Sequence, residues 1–481
     1  MAIFPGSAIP SAVSDYEIEN SVRFDDGSSP LLRRTPTATG DRQKMTWSAW
    51  VKKCTNASSG ALFCAYTDTN NYTELDMASN QIDYYNVTGG GVDARRTTSA
   101  YQRDPSAWYH IVVVWDSANA TAGDRMKVYI NGVEQTAFSA TTDPSSSLNS
   151  TMNSTAPQEI GARALGTTTF FNGLMAHVHF CDGYAYAASD FGETDSTSGI
   201  WIAKTSPSVS YGTNGYFLKF QDNSAFGDDS SGNTNDFTLS GTMTQTKDTP
   251  DNNFATGNPL YFGGTSWSNP LINGNNTLVG SSSTNTYNTL FSTLAAHGKG
   301  KWYAEFKLTT SDANILAGIA SPSTANSSQN TSKIFSSSYM AAGNGYGLSF
   351  ADGIVYYQNS GSTGQSDISG TTAQNDIIGI YLDLDANKLY YAKNGTVLNS
   401  GTGIDITNDS YYFAAADGAQ SAAAGGDMNF GNGYFGTTAV SSAVADAGGE
   451  GQFEYDPSAG TFDGSSKDFR ALCTNNIATY G

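Results

Sequence analysis

The run Trp108-Tyr109-His110-Ile111-Val112-Val113-Val114-Trp115-Asp116, followed after a polar loop by Met126-Lys127-Val128-Tyr129-Ile130-Asn131-Gly132-Val133, carries the clearest structural signal in this chain. The five apolar residues Ile111 to Trp115 predict a strand covered on both faces, because a strand with one wet face alternates apolar and polar residues instead. Asn131-Gly132 predicts a tight hairpin turn, since both residues tolerate positive φ. Upstream, Trp47, Ala49 and Val51 alternate with Thr46, Ser48 and Trp50, the period of a strand. Ser21 to Phe24, Ala61 to Tyr66 and Ile82 to Tyr85 add further short strands punctuated by Gly, Asn and Asp, the pattern of a β-sandwich.

Composition agrees. The 481 residues contain 51 Gly, 27 Tyr and 24 Phe, and only 14% are charged, so strands and turns are favoured over helices. At about 100 to 200 residues per domain the length accommodates two to four domains. The 24 Lys+Arg against 44 Asp+Glu give a formal charge of −20, and no basic run exceeds Arg33-Arg34 or Arg95-Arg96. That excludes a nucleic-acid binder, which needs a basic stripe to neutralise phosphates, and equally a polybasic membrane anchor. The run Ile111 to Trp115 is far short of the ~20 apolar residues of a spanning helix, so no membrane insertion is expected. Met1 to Pro10 lacks a basic region followed by an apolar core, so no secretory signal is expected. Cys54, Cys64, Cys181 and Cys473 show no CxxC spacing and read as reduced, partly buried thiols.

A Ser/Asn/Gly/Thr-rich stretch, Thr265 to Asn288, marks the edge of a second block. Its ladder runs through Gly300 to Leu308, Ile315 to Ala320, Tyr346 to Phe350, Ile354 to Tyr357, Asp376 to Asp385, Lys388 to Gly395 and Tyr411 to Ala416.

These residues carry resemblances. Trp108 to Val114, Lys127 to Gly132 and Phe171-Asn172-Gly173-Leu174-Met175-Ala176-His177-Val178 resemble the core of a laminin-G/concanavalin A-like jelly roll over roughly residues 20 to 185. Ala187 to Glu193, Gly199 to Lys204, Tyr211 to Leu218, Asp222 to Gly227 and Thr249 to Phe254 are similar to the region that follows the lectin-like domain in appendage proteins of marine and other bacteriophages. The second block resembles a SPRY domain over roughly residues 295 to 435, and Gly451 to Asn476 resembles the end segment of the same phage proteins. The expected fold class is all-β: two concanavalin A-like jelly-roll β-sandwiches, laminin-G-like then SPRY-like, joined by a β-rich connecting segment. The expected divisions are a docking arm over 1–20, the first sandwich over 21–185, the connection over 186–290, the second sandwich over 291–437 and a C-terminal segment over 438–481.

Catalytic chemistry finds little support. Glucanases of this fold family place paired carboxylates about 5 Å apart on one strand face. The nearest string here, Glu74-Leu75-Asp76-Met77-Ala78-Ser79, lacks the third acid. With four His and no Gly-x-Ser-x-Gly elbow, a non-enzyme is expected. His177 and His179, two apart with Asp182 close behind, offer part of a metal site, although stacked imidazoles on a strand face explain the spacing without one. Calcium is the more plausible cation: Asp222, Asp228, Asp229 and Asp236, with Asn223, Asn233 and Asn235, cluster oxygen donors in one loop, and Asp116, Asn119 and Asp124 form a weaker second set. Ordinary turn formation accounts for the same residues. Aromatic rings beside turn signals, Tyr84, Tyr85, Tyr101, Trp267, Tyr356 and Tyr357, are the candidates for stacking on sugar rings.

The resemblance implies a virion protein assembled in the host cytoplasm: a tail fibre or receptor-binding appendage attaching to host surface polysaccharide, with other tail or capsid proteins as partners and a homo-oligomer, trimeric by the fibre analogy. The alternatives are a capsid-surface fibre or decoration protein, a glycan-degrading enzyme, and an architectural spacer without a ligand.

Overall fold

A computed structural model describes residues 18–54, 60–204, 207–260, 271–280, 288–321, 344–359, 362–417 and 424–481. Trp267 and most of the expected docking arm lie outside them. The chain divides into two units, Met1–Asp251 and Asn252–Gly481. The 186–290 connection is therefore not a separate segment: its first part completes one sandwich and its remainder begins the other.

The strands of the first unit, in chain order, are β1 (Ser21–Phe24), β2 (Leu31–Arg34), β3 (Lys44–Lys53), β4 (Ala61–Asp68), β5 (Asn71–Ala78), β6 (Gln81–Thr88), β7 (Gly91–Thr98), β8 (Tyr109–Asp116), β9 (Met126–Ile130), β10 (Val133–Glu134), β11 (Phe138–Thr142), β12 (Gln158–Ile160), β13 (Gly173–Asp182), β14 (Gly192–Thr194), β15 (Trp201–Ala203), β16 (Tyr216–Leu218), β17 (Thr238–Ser240) and β18 (Thr244–Thr246). One sheet runs β10-β9-β8-β3-β13-β1-β18 with β16 on β13, and the other runs β11-β7-β6-β5-β4-β12-β2-β17. Between them lies a core that includes Trp47, Ala49, Val51, Phe63, Leu75, Tyr84, Ile111, Val113, Trp115 and Phe180. The alternation in β3 thus points inward as expected.

The apolar run of β8 is covered on both sides. Val112 and Val114 face away from the core, into a second layer with Cys181, Ala188 and Phe191, against which Tyr186, Trp201, Val209 and Tyr211 pack. Trp50 and Trp108 join Leu174, Ala176 and Ala203 in a neighbouring patch. The chain between Tyr186 and Tyr211 supplies much of this cover. Asn131 and Gly132 adopt φ of 47° and 80°, the left-handed turn that the dipeptide predicts. A Cβ at Gly132 would stand 2.4 Å from the Trp201 ring, so the glycine also admits the covering tryptophan.

Three histidines sit in this layer. The Trp201 indole N–H donates to His110 Nδ1 at 3.0 Å, and His110 Nε2 lies 2.9 Å from Ser48 Oγ. Because an indole only donates, His110 is neutral with its proton on Nε2. A bulge between Ala176 and His179 places His177 at φ 47°, and both following rings meet Phe217, His177 edge-on at 5.0 Å and His179 stacked at 4.0 Å. Asp182 turns elsewhere, accepting from the Asp41 and Asn214 backbone N–H groups. The partial metal site of the sequence is thus an aromatic stack, and the bulge is its physical origin.

The second unit repeats the plan. A nine-stranded sheet centred on Lys301–Leu308, Ile377–Asp383 and Lys388–Lys393 faces a six-stranded sheet that includes Ile315–Ala320, Gly345–Ser349 and Tyr412–Asp417. Between them pack Trp302, Phe306, Ile319, Leu348, Ile380, Tyr391 and Phe413. On the far side of the nine-stranded sheet, Tyr303, Tyr381 and Tyr390 are buried beneath Phe453, Phe462 and Phe469, so the expected C-terminal segment is a covering layer of this unit. Arg470–Ala471 pairs in parallel with Trp302 and Tyr303. Glu305, fully buried, accepts from Tyr303 Oη, Asn429 Nδ2 and the backbone N–H groups of Glu454 and Tyr455, all at 2.9–3.1 Å. Burial pushes its carboxyl up to about 7 against the pull of those donors. All four cysteines are free and buried.

Burial pulls His110 and His177 down from an ordinary value of 6.5 to about 3. Below pH 6.5 the unfolded chain therefore takes up protons that the folded chain refuses, so stability falls with pH until about pH 3 and is fully present above 6.5. Each such histidine contributes about 1.4 kcal/mol per pH unit in that window. Calorimetry between pH 6.5 and 4 should show a shallower decline in first-unit stability for His110→Gln than for the natural protein; equal slopes would refute the assignment.

Candidate functional site

The covered sheet of the first unit leaves the other sheet to meet the surroundings. On its outer face a single row crosses all eight strands: Thr238, Arg33, Glu159, Cys64, Glu74, Tyr85, Arg95 and Thr142 are successive register partners. The row exists because Glu74 and Asp76 alternate with the inward Thr73 and Leu75 along β5. Its charges pair off, Arg33 with Glu159 at 2.6 Å and Arg163 with Glu74 at 3.0 Å, while Arg95 reaches Asp83 at 2.6 Å. Tyr66, Tyr72 and Tyr85 adjoin, with ring centroids 5.9 and 5.8 Å apart. Arg163 lies over Tyr72 and Arg95 over Tyr85. Tyr85 donates to Glu74 Oε2 at 2.5 Å. Glu74 is 0% exposed, and burial raises its carboxyl above the usual carboxylate range. Asp76, its partner in the Glu-x-Asp string, accepts from the Gly60 N–H at 2.8 Å. Both acids of that string are thus engaged within the framework.

Where β4 ends and β5 begins, beside the close of β6, a cleft of about 760 Å³ opens. Thr67, Asn71 and Thr88 line it from the strand ends, Arg42 from the approach to β3, and the remaining wall is the loop Ser145 to Pro157. Hydroxyls and amides dominate the lining, with Leu148, Ala156 and Pro157 as the apolar part. Tyr66 and Tyr72 are the chain neighbours of Thr67 and Asn71, but their rings belong to the outer face and do not line the cleft.

The wall is tied down from beneath. Arg42 and Ser150 exchange two bonds, Arg42 Nε to Ser150 O at 2.6 Å and Ser150 N to Arg42 O at 3.0 Å. The buried Thr73 hydroxyl reaches Asn86 Oδ1 at 2.5 Å and Ser150 Oγ at 3.0 Å, and accepts from the Thr151 N–H at 2.9 Å. Asn153 Nδ2 donates to Asp41 O at 2.9 Å and to Asp182, while its Oδ1 accepts from Asn214 Nδ2 at 3.0 Å. A Cβ at Gly40 would meet Asp182 and Asn153 within 2.4–2.6 Å, so only glycine permits this knot. These bonds hold the wall in place, so a ligand would incur little ordering cost.

Of the sequence candidates, Tyr85 stands on the tyrosine face. Tyr84 is 1% exposed and packs edge-on against Trp115 inside the core, because neighbouring strand residues point to opposite sides. Tyr101 is 51% exposed beneath Arg103 on the loop after β7, away from the cleft lining. Tyr356 and Tyr357 belong to the second unit. The first donates to Asp352 at 2.7 Å, which with burial holds its phenol up at about 12, and the second stacks on the core residue Tyr346 at 5.7 Å.

The carboxylates of the calcium-candidate loop, Asp222, Asp228, Asp229 and Asp236, sit in a turn where three of them accept bonds from loop amides. Asp229 accepts from the backbone N–H groups of Phe217, Ser231 and Asn235, Asp236 accepts from that of Asp229, and Asp222 caps Ser224. These carboxylates satisfy loop amides, and among the described residues no three His, Cys, Asp or Glu side chains gather into a metal site. Sequence reasoning missed the cleft residues because Asp143-Pro144-Ser145-Ser146-Ser147 reads as a plain linker. The available signal was a long run of hydroxyl-bearing residues, almost free of charge, between two strands.

With this geometry in place, comparison with known proteins adds the following. A family model described as the concanavalin A-like lectin/glucanases superfamily matches residues 26–188. No curated protein matches the chain. Among solved structures, domains LG4–5 of the mouse laminin α1 chain are similar at 9% identity over 84% of this chain and 84% of that one, with a TM-score of 0.31. The SPRY domain of human HERC1 is similar at 14% identity over 36% and 96%, with a TM-score of 0.27. A putative carbohydrate binding protein from Bacteroides ovatus is similar at 14% over 48% and 60%, with a TM-score of 0.31. The first sandwich, over residues 26–188, has the concanavalin A-like fold of the lectin and glucanase superfamily.

Proposed function

We propose that this protein binds glycans without transforming them, as a tail fibre or receptor-binding appendage of a bacteriophage that attaches to host surface polysaccharide. The observation that carries the glycan reading is the cleft lined by hydroxyls and amides. A sugar presents hydroxyls to polar side chains, which this cleft offers, and apolar C–H faces to aromatic rings, which the outer face of the same sheet carries in Tyr66, Tyr72 and Tyr85. The phage reading is supported by the resemblance of residues 187–254 to the region behind the lectin-like domain of phage appendages. Display on a homotrimer, with tail proteins as partners, would add weak contacts through effective concentration.

Purified protein, presented multivalently, should bind host cells or a glycan array. Thr67→Val with Thr155→Val removes two exposed lining hydroxyls that make no hydrogen bond with described residues, and should weaken binding by about tenfold at unchanged melting temperature. Absence of binding by the natural protein would refute the glycan reading and favour a spacer. Labelling of intact particles with antibody should mark the tail; label on the shell would assign it to the capsid surface instead. If the protein depolymerised host polysaccharide and Glu74→Gln abolished that, the non-catalytic reading would fall.

Thr73→Val keeps the shape of the floor but removes the buried hydroxyl that joins Asn86, Ser150 and the Thr151 N–H, leaving the longer 3.3 Å bond from that N–H to Asn86 Oδ1. Chemical denaturation should show a loss of about 1 kcal/mol. A neutral outcome would mean that the loop is held by other contacts.

A further inference from the structure

Among the side chains that line the cleft, Arg42 alone is charged. Its Nε is committed to Ser150 O at 2.6 Å, which fixes the guanidinium plane, and it forms no ion pair with a described carboxylate. Its two terminal amino groups have no acceptor among the described residues. The acids of the flanking segments are engaged: Asp41 by the Gln43 and Lys44 N–H groups, Asp68 by Asn70 and Asn71, and Asp143 by Arg96. Arg33, Arg95, Arg96 and Arg163 are each paired with a carboxylate, and half-buried Arg34 and Arg125 spend their terminal amino groups on amide and carbonyl oxygens, whereas those of Arg42 face the cleft.

An oxyacid anion accepts the two parallel N–H bonds of such a fork, and a charged acceptor makes each bond stronger than a neutral sugar hydroxyl would. Resting on the glycan reading above, we propose that the cleft selects acidic sugars, seating a uronate carboxylate or a sulfate ester on Arg42 while Thr67, Ser146, Asn149 and Thr155 take the hydroxyls. The net charge of −20 opposes polyanions at long range, but that field is screened within about 8 Å at physiological ionic strength. Selection is therefore local, and removing one cation should erase it.

The test uses the full chain, presented multivalently on an array of backbone-matched polymers: dextran, carboxymethyl dextran and dextran sulfate, with cellulose, carboxymethyl cellulose and cellulose sulfate. Half-maximal binding to an acidic member should occur at about tenfold lower protein concentration than to its neutral counterpart. The carboxymethyl and sulfate arms report which anion fits. Arg42→Gln should abolish the preference. Because that change also touches the Ser150 bond, Ser146→Asp provides a second route: it leaves Arg42 and its bond in place, adds an opposing charge to the cleft, and should abolish the preference too. Equal binding to neutral and acidic members would overturn the acidic-sugar assignment and leave glycan binding standing; a preference that survives both substitutions would overturn its placement on Arg42 in this cleft. Failure to bind any polymer or any glycan on host cells would overturn both.

Discussion

Each unit contains a sheet too apolar to leave either face in water, and that constraint organises the rest of the molecule. In the first unit Val112, Val114, Trp50 and Trp108 point away from the sandwich core and need cover. In the second, Tyr303, Tyr381 and Tyr390 do the same. A buried tryptophan removes some 150–250 Å² from water, which at ~25 cal/mol/Å² amounts to about 5 kcal/mol as an upper estimate. The chain following each set of sandwich strands supplies the cover. The outer face of the opposite sheet in the first unit is then the place where polar groups and rings can gather.

The covering layers are keyed by polar contacts as well as by apolar area. Trp201 donates to His110, and Gly132 makes room for its ring. Lys52 and Asp248 form a buried ion pair at 2.7 Å, and Trp108 Nε1 donates to the same carboxylate at 3.0 Å. Glu305 collects two backbone N–H groups from the C-terminal segment. Buried charges of this kind add little net stability over a well-packed apolar alternative, but removing one partner is expensive, so they discriminate against misplaced cover. The same logic holds the cleft, where Thr73, Asn86 and Ser150 satisfy one another beneath the loop and Asn153 ties it to Asp41, Asp182 and Asn214.

Strand content was open to reading because side-chain periodicity is a local property. The Ile111 to Trp115 run, the Trp47/Ala49/Val51 alternation and the Asn131-Gly132 turn each state their environment within a few residues, and each is found so. Tyr84 and Tyr85 show the limit. Both precede turn signals in the sequence, yet one fills the core and the other lies on the outer face, and only the register of β6 separates them. Asp229 shows another: nothing in its turn-rich neighbourhood tells which backbone N–H groups its carboxylate will gather, and the fold brings it those of Phe217, Ser231 and Asn235.

The amino-acid sequence by itself determined that this protein is built of layered strands, where its tight turns fall, and that its surface is acidic and hydroxyl-rich, because those follow from short-range sterics and composition. Tertiary structure alone decided that residues 186–251 complete the first sandwich, that the His177/His179 pair is an aromatic stack, and that Arg42, Thr67, Thr88 and the Ser145–Pro157 loop enclose one cleft. Those residues are far apart along the chain, and hydrogen bonds across long separations, absent from any local pattern, bring them together.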